Sequence, residues 1–144
     1  MKKYDIGYTC GVFDLFHIGH LLLLERCKAM CNTLIVGICN DDYVINVKHK
    51  CPVYPEEHRL RIISALKVVD KAELVTISET LNKQLAYDKF HFDVLFSGDD
   101  WKGTDRFIKT ENELKNMGVS IVFFPYTKGI SSSQIKSDLV DNKK

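Results

Sequence analysis

At 144 residues, with 45% hydrophobic and 27% charged residues, the chain has the make-up of an ordinary globule and the length of a single domain, residues 1–144. A formal net charge of +1 excludes the strong basic excess of a protein that wraps nucleic acid, so no nucleic-acid partner is expected. The basic start Met1-Lys2-Lys3 leads into Tyr4-Asp5 rather than an apolar stretch, and Leu21–Leu24 is far too short to cross a bilayer, so the expectation is a cytoplasmic protein without membrane insertion.

Strand and helix signals alternate along the chain. Tyr4–Thr9 reads as a first strand, and 19–30 as a helix with a partly apolar stripe through Leu21, Leu24, Cys27 and Lys28. Thr33–Cys39 (TLIVGIC) is continuously apolar, the pattern of a strand buried on both faces of a parallel sheet. Asp41–Val47 suits a short helix, followed by a polar loop to Pro55. Pro55-Glu56-Glu57 opens the next helix, with proline in the first turn and acids near the positive dipole end; it carries Leu60, Ile63 and Leu66 toward Val69. A short strand over Glu73–Val75 precedes a helix over Ser78–Tyr87, and Phe92–Ser97 is the next apolar strand. A helix over Asp105–Asn116 ends at Gly118, then come a strand over Ser120–Phe124 and a last helix over Ser131–Val140. This alternation predicts an α/β fold, a Rossmann-like doubly wound parallel sheet with ligands outside the carboxyl ends of its strands.

The polar clusters fall at those ends. GVFDLFHIGH at 11–20 spans the handover from first strand to first helix. Such a turn offers backbone N–H groups and the positive helix pole to an anion; two imidazoles add donors, and Gly19 admits close approach of a phosphate. Taken in isolation, an H-x-G-H could be surface decoration or half of a metal site. No Glu stands in an H-E-x-x-H frame, and no protein-held metal is expected. Lys48 and Lys50 flank His49 in the loop after the second strand. By itself that loop reads as solvated; beside a phosphate-binding turn it suits charge neutralisation in phosphoryl or nucleotidyl transfer.

Gly98-Asp99-Asp100-Trp101 follows a buried strand, where a carboxylate either caps a turn or takes ribose hydroxyls or a metal ion, and an indole can wall off a base. Thr127-Lys128-Gly129-Ile130-Ser131-Ser132-Ser133 precedes the last helix; its serines are N-caps by default and can also cradle a second anion. Two helix starts of phosphate-binding type on one sheet edge point to a triphosphate bound between them. The five cysteines form no C-x-x-C pair, and although Cys27 and Cys31 share a helical face, all five read as free thiols of a reducing compartment.

These segments, with EHR at 57–59, VVD at 68–70, SGDDWKG at 97–103 and TKGISSSQIK at 127–136, resemble the small cytidylyltransferases of the nucleotidyltransferase superfamily, above all the glycerol-3-phosphate cytidylyltransferases. The likeness implies that His17 and His20 hold the CTP phosphates and stabilise the pentavalent α-phosphorus, with Lys48 and Lys50 as the loop lysines. It implies that Gly11, Val12, Phe13 and Asp14 surround the triphosphate and that Asp100 contacts the ribose. Ser131 and Ser132 would bind phosphate oxygens, the backbone at Gly129 and Ile130 would read cytosine, and Arg59 and Lys83 would face the acceptor phosphate. The implied reaction moves CMP from CTP to a small phosphomonoester, glycerol 3-phosphate first, giving CDP-glycerol and pyrophosphate, with Mg²⁺ carried by CTP and a homodimer as the assembly. Because a phosphate monoester is already anionic, no general base is required, and in-line positioning with charge neutralisation suffices.

Two positions depart from the family pattern. Tyr126 stands where an arginine is expected, with Lys128 two positions later, and Lys67 replaces a second arginine. Lysine keeps the charge and loses the bidentate fork, which bears on the acceptor. The alternatives are phosphoethanolamine or phosphocholine as acceptor, an adenylyltransferase using ATP, and a nucleotide-binding sensor without turnover.

Overall fold

The computed structural model describes residues 2–98 and 103–125 together with Ile135 and Leu139. Five parallel strands, β1 (Tyr4–Gly11), β2 (Cys31–Cys39), β3 (Lys71–Val75), β4 (Val94–Gly98) and β5 (Ser120–Phe124), form one sheet in the order β3-β2-β1-β4-β5. Between them run α1 (Ile18–Met30), α2 (Asp41–Asn46), α3 (Glu56–Ser64), α4 (Ile77–Leu81), α5 (Lys83–Phe90) and α6 (Asp105–Asn116). The chain winds from β1 out to β3, then returns to β4 on the other side of β1. Strand order therefore reverses between β1 and β4, the place where a doubly wound sheet opens a crevice at its carboxyl edge.

Alternation along the strands sorts the core onto two faces. Leu34, Val36 and Ile38 of β2 join Leu24 and Cys27 of α1 and Ile63 of α3 on one side. Ile35 joins Tyr8, Leu95, Phe90 of α5 and Leu114 of α6 on the other. Gly37 makes room for this second core, since a Cβ there would strike the Tyr8 hydroxyl. The Rossmann-like α/β architecture expected from the sequence is the architecture found.

Several element bounds differ from the sequence pattern, each for a pairing or capping reason. β1 continues to Gly11 because Cys10 and Gly11 still pair with Gly37 and Ile38, so the strand runs into the GVFDLFHIGH motif. β2 starts at Cys31, opposite Tyr4, and β3 starts at Lys71, opposite Ile35. α3 ends at Ser64 rather than near Val69; the chain then delivers Asp70, whose carboxylate accepts from the Leu34 N–H and from Lys28 Nζ at 2.7 and 2.6 Å. The helix expected over Ser78–Tyr87 is two helices, α4 and α5, parted at Asn82. Asn82 leaves the helical region (φ −120°, ψ 99°) and its side chain caps α5 through the Gln84 N–H. α6 and β5 match their expected spans, and Gly118, at φ +79°, follows the Met117 C-cap as expected. Of the helix expected over Ser131–Val140 only Ile135 and Leu139 are among the described residues, and both are helical.

Candidate active site

The turn after β1 is built under strain. Phe13 and Leu15 both take left-handed φ, 55° and 49°, a conformation that costs a non-glycine residue on the order of 1–3 kcal/mol. Asp14, buried between them, holds the turn: its carboxylate accepts the N–H groups of Leu15, Val53 and Tyr54 at 3.1, 2.8 and 2.9 Å. The residue therefore docks the end of the basic loop against the phosphate-type turn, a positioning role.

The two histidines are wired into the start of α1. His17 is the N-cap, and its Nδ1 accepts from the Gly19 N–H at 3.0 Å. His20 reaches back so that its Nδ1 accepts from the His17 N–H at 3.2 Å. Together they make a capping box in which imidazoles replace the usual hydroxyl and carboxyl groups. Because a backbone N–H donates to each Nδ1, each neutral ring carries its proton on Nε2, a donor left for a ligand. The rings stack with centroids 3.8 Å apart, and Phe13 and Phe16 pack on His20. Burial lowers both imidazole pKa values; that of His20 falls to about 4, with neighbouring His17 adding to the effect and Asp14 opposing it. Both rings are neutral donors at pH 7, aimed from a helix N-terminus.

Beside this turn a cavity of about 140 Å³ opens at the carboxyl ends of β1, β2 and β4. Gly11 and Val12 form one edge, so the phosphate-type turn borders it directly. Lys48, expected as a loop lysine, and Lys83, expected at the acceptor phosphate, both line it; Lys83 Nζ also donates to the Thr80 carbonyl at 2.5 Å. Lys50 is exposed and is not part of this lining, while His49 between the lysines takes a left-handed φ of 56°. Cys10 and Cys39 meet there with their sulfurs 3.6 Å apart. The hydrogen bond from Cys39 pulls the Cys10 thiol pKa down against the opposing effect of burial, and the nearby Lys83 charge adds to the lowering.

Arg59 corrects the sequence reading. It was expected to face the acceptor phosphate, yet its side chain is fully buried. Nε donates to the Tyr54 carbonyl, Nη1 to the carbonyls of Val12 and Cys39, and Nη2 to Asp41 Oδ1 at 2.6 Å, which occupies four of its five N–H donors. Arg59 is thus a tie beneath the site, binding α3 to the ends of β1 and β2 and to the start of α2. Lys67 is exposed beyond the end of α3. Asp100, Gly129, Ile130, Ser131 and Ser132, with Tyr126, lie outside the described residues.

Sequence reasoning missed Tyr43, Thr80 and Arg106, which line the cavity. Tyr43 and Thr80 look like core positions of short helices. Arg106 did leave a signal: it sits in the first turn of α6, where a cation opposes the helix dipole.

Comparison with known proteins matches residues 8–138 to the family model described as cytidylyltransferase-like. The chain is 37% identical over 131 residues to a glycerol-3-phosphate cytidylyltransferase of Bacillus spizizenii, covering 91% of this chain and 94% of the relative. A 70-residue stretch is 51% identical to an FAD synthase of Methanothrix thermoacetophila, covering 48% of this chain and 47% of that protein. Among solved structures, a lipopolysaccharide core biosynthesis protein of Thermoplasma volcanium superposes with a TM-score of 0.71 at 26% identity, over 88% of this chain and 99% of that one. A match over nearly the whole chain agrees with a parallel sheet whose first strand ends, at Gly11 and Val12, on the edge of a cation-lined cavity, and the chain belongs to the cytidylyltransferase-like family.

Proposed function

We propose that the protein transfers CMP from CTP to glycerol 3-phosphate, giving CDP-glycerol and pyrophosphate. The observation that carries this reading is the pairing of two site elements, the neutral Nε2 donors of His17 and His20 and a cavity lined by Lys48 and Lys83 at the end of the same strand. Similarity over 91% of the chain to a protein named for glycerol 3-phosphate supports the choice of acceptor.

In this reading an oxygen of the acceptor phosphate attacks the α-phosphorus of CTP in line, the bond to the β-phosphate bridging oxygen breaks, and pyrophosphate leaves. The imidazole N–H groups stabilise the charge that builds on the α-phosphoryl oxygens, with Lys48 and Lys50 of the basic loop serving the triphosphate. Mg²⁺ arrives as part of the nucleotide substrate. Gly129, Ile130, Ser131, Ser132 and Asp100 keep their proposed roles toward base, phosphates and ribose. The protein is proposed to act as a single domain, as a homodimer, and in the cytoplasm. No helix among the described residues is long and apolar enough to cross a membrane.

The similarity to an FAD synthase favours one rival, adenylyl transfer from ATP. Pyrophosphate release with CTP and glycerol 3-phosphate, compared with ATP in place of CTP, decides between them. CTP is expected to be preferred by a wide margin; equal or faster turnover with ATP overturns the cytidylyl reading. His20→Ala is expected to lower kcat by on the order of a hundredfold, as for loss of a preorganised donor to a developing oxyanion.

A further inference from the structure

Arg106 is exposed in the first turn of α6, yet its side chain lines the cavity beside Tyr43 of α2, whose phenol pKa burial raises while the Arg106 charge pulls it down. Lys83 of α5 and Lys48 of the basic loop line the same cavity. The other polar side chains around it include the hydroxyls of Thr80 and Thr110, and none of the described lining residues is acidic. His17 and His20, which would serve the reacting phosphorus, are not part of this lining. The cavity therefore lies to one side of the reacting centre, where the non-reacting end of an acceptor would extend.

A lining of this kind discriminates by charge. Among the described lining residues an ammonium head would meet three cations and no carboxylate, whereas hydroxyl or anionic oxygens would meet donors. The guanidinium also presents a planar fork that spans two adjacent oxygens, which an ammonium cannot do. We propose that Arg106 selects the acceptor by donating to the vicinal hydroxyls at the non-reacting end of a polyol phosphate, whose phosphate faces Lys83, and by rejecting phosphomonoesters with a cationic head. Arg106 is thus a specificity-determining residue supplied by α6. The proposal rests on the cytidylyl-transfer reading and narrows its acceptor.

The test uses the full chain with CTP, glycerol 3-phosphate and phosphoethanolamine, by steady-state kinetics and by calorimetric titration of glycerol 3-phosphate. Arg106→Ala is expected to raise the KM and the Kd for glycerol 3-phosphate about tenfold or more, the usual loss for a hydrogen bond from a charged group, while the KM for CTP stays within about twofold. Arg106→Glu is expected to shift the ratio of kcat/KM values toward phosphoethanolamine. Tyr43→Phe keeps the guanidinium and removes only the neighbouring hydroxyl, so its effect on the acceptor KM should be smaller than that of Arg106→Ala. An unchanged acceptor KM and unchanged acceptor ratio in Arg106→Ala overturn the proposal, as does a Tyr43→Phe variant that reproduces the whole effect. If the wild type turns over CTP with neither acceptor yet binds glycerol 3-phosphate through Arg106, the proposal stands and the transfer reading falls; absence of both turnover and binding overturns both.

Discussion

His20 packs against Phe13, Phe16 and His17, and burial holds its imidazole to a pKa of about 4, against 6.5 for the free side chain. Between those values the unfolded chain binds a proton that the folded chain does not. Stability attributable to this ring is therefore complete above pH 6.5 and is lost as pH falls toward 4, with a slope of at most about 1.4 kcal/mol per pH unit for one proton. Denaturant unfolding of the ligand-free protein at pH 7 and pH 5 should show a smaller loss for His20→Asn than for the wild type. Equal losses would assign the titration to another group. That His17 and His20 matter was legible in the motif; which nitrogen faces outward was not, because the tautomer follows from the Gly19 and His17 N–H groups that the helix start presents to Nδ1.

At the scale of elements, Arg59 decides how the site is assembled. It carries donors from α3 to three backbone carbonyls and to Asp41, so it holds together the ends of β1 and β2 and the start of α2. Removing one partner of a buried charge pair typically costs about 3–5 kcal/mol, so Arg59→Ala should lower the unfolding free energy by that order. Arg59→Lys should lose much of the same stability, since one ammonium cannot reach four acceptors set in a fork geometry. Chemical denaturation of both variants checks this, and unchanged midpoints would return Arg59 to a ligand role. From sequence, an arginine in EHR looks like any helix arginine with a functional neighbourhood. Its burial becomes visible only when the strand ends converge on it. The break between α4 and α5 was hidden for a related reason: Ser78–Tyr87 shows no breaker such as Gly or Pro, and Asn82 ends one helix and starts the next through its own side chain. That break places Thr80 and Lys83 on the cavity wall.

For the whole molecule, the proposed homodimer would cover apolar surface that a monomer leaves open. Ile18 and Val53 are 52% and 51% exposed, and a largely apolar groove lined by Tyr54, His58, Ile62 and neighbours adjoins Val53 along α3. Sedimentation velocity at micromolar concentration should give one species of twice the 16.5 kDa chain mass, and Val53→Asp should shift it toward monomer. A wild-type monomer would refute the dimer. The sequence by itself determined the parallel α/β sheet, because TLIVGIC and similar runs can be buried only on both faces at once and each is followed by a helical pattern. It determined the phosphate-type turn as well, since a strand-to-helix handover with H-x-G-H carries its donors within ten residues of chain. The tertiary structure decided which cations share a cavity. Lys48, Lys83 and Arg106 come from three segments that no local pattern relates, and they meet only because β1, β2 and β4 end at one edge of the sheet. It also decided that Arg59 is sealed beneath that edge, because its four acceptors belong to segments brought within reach only when the strand ends close around α3.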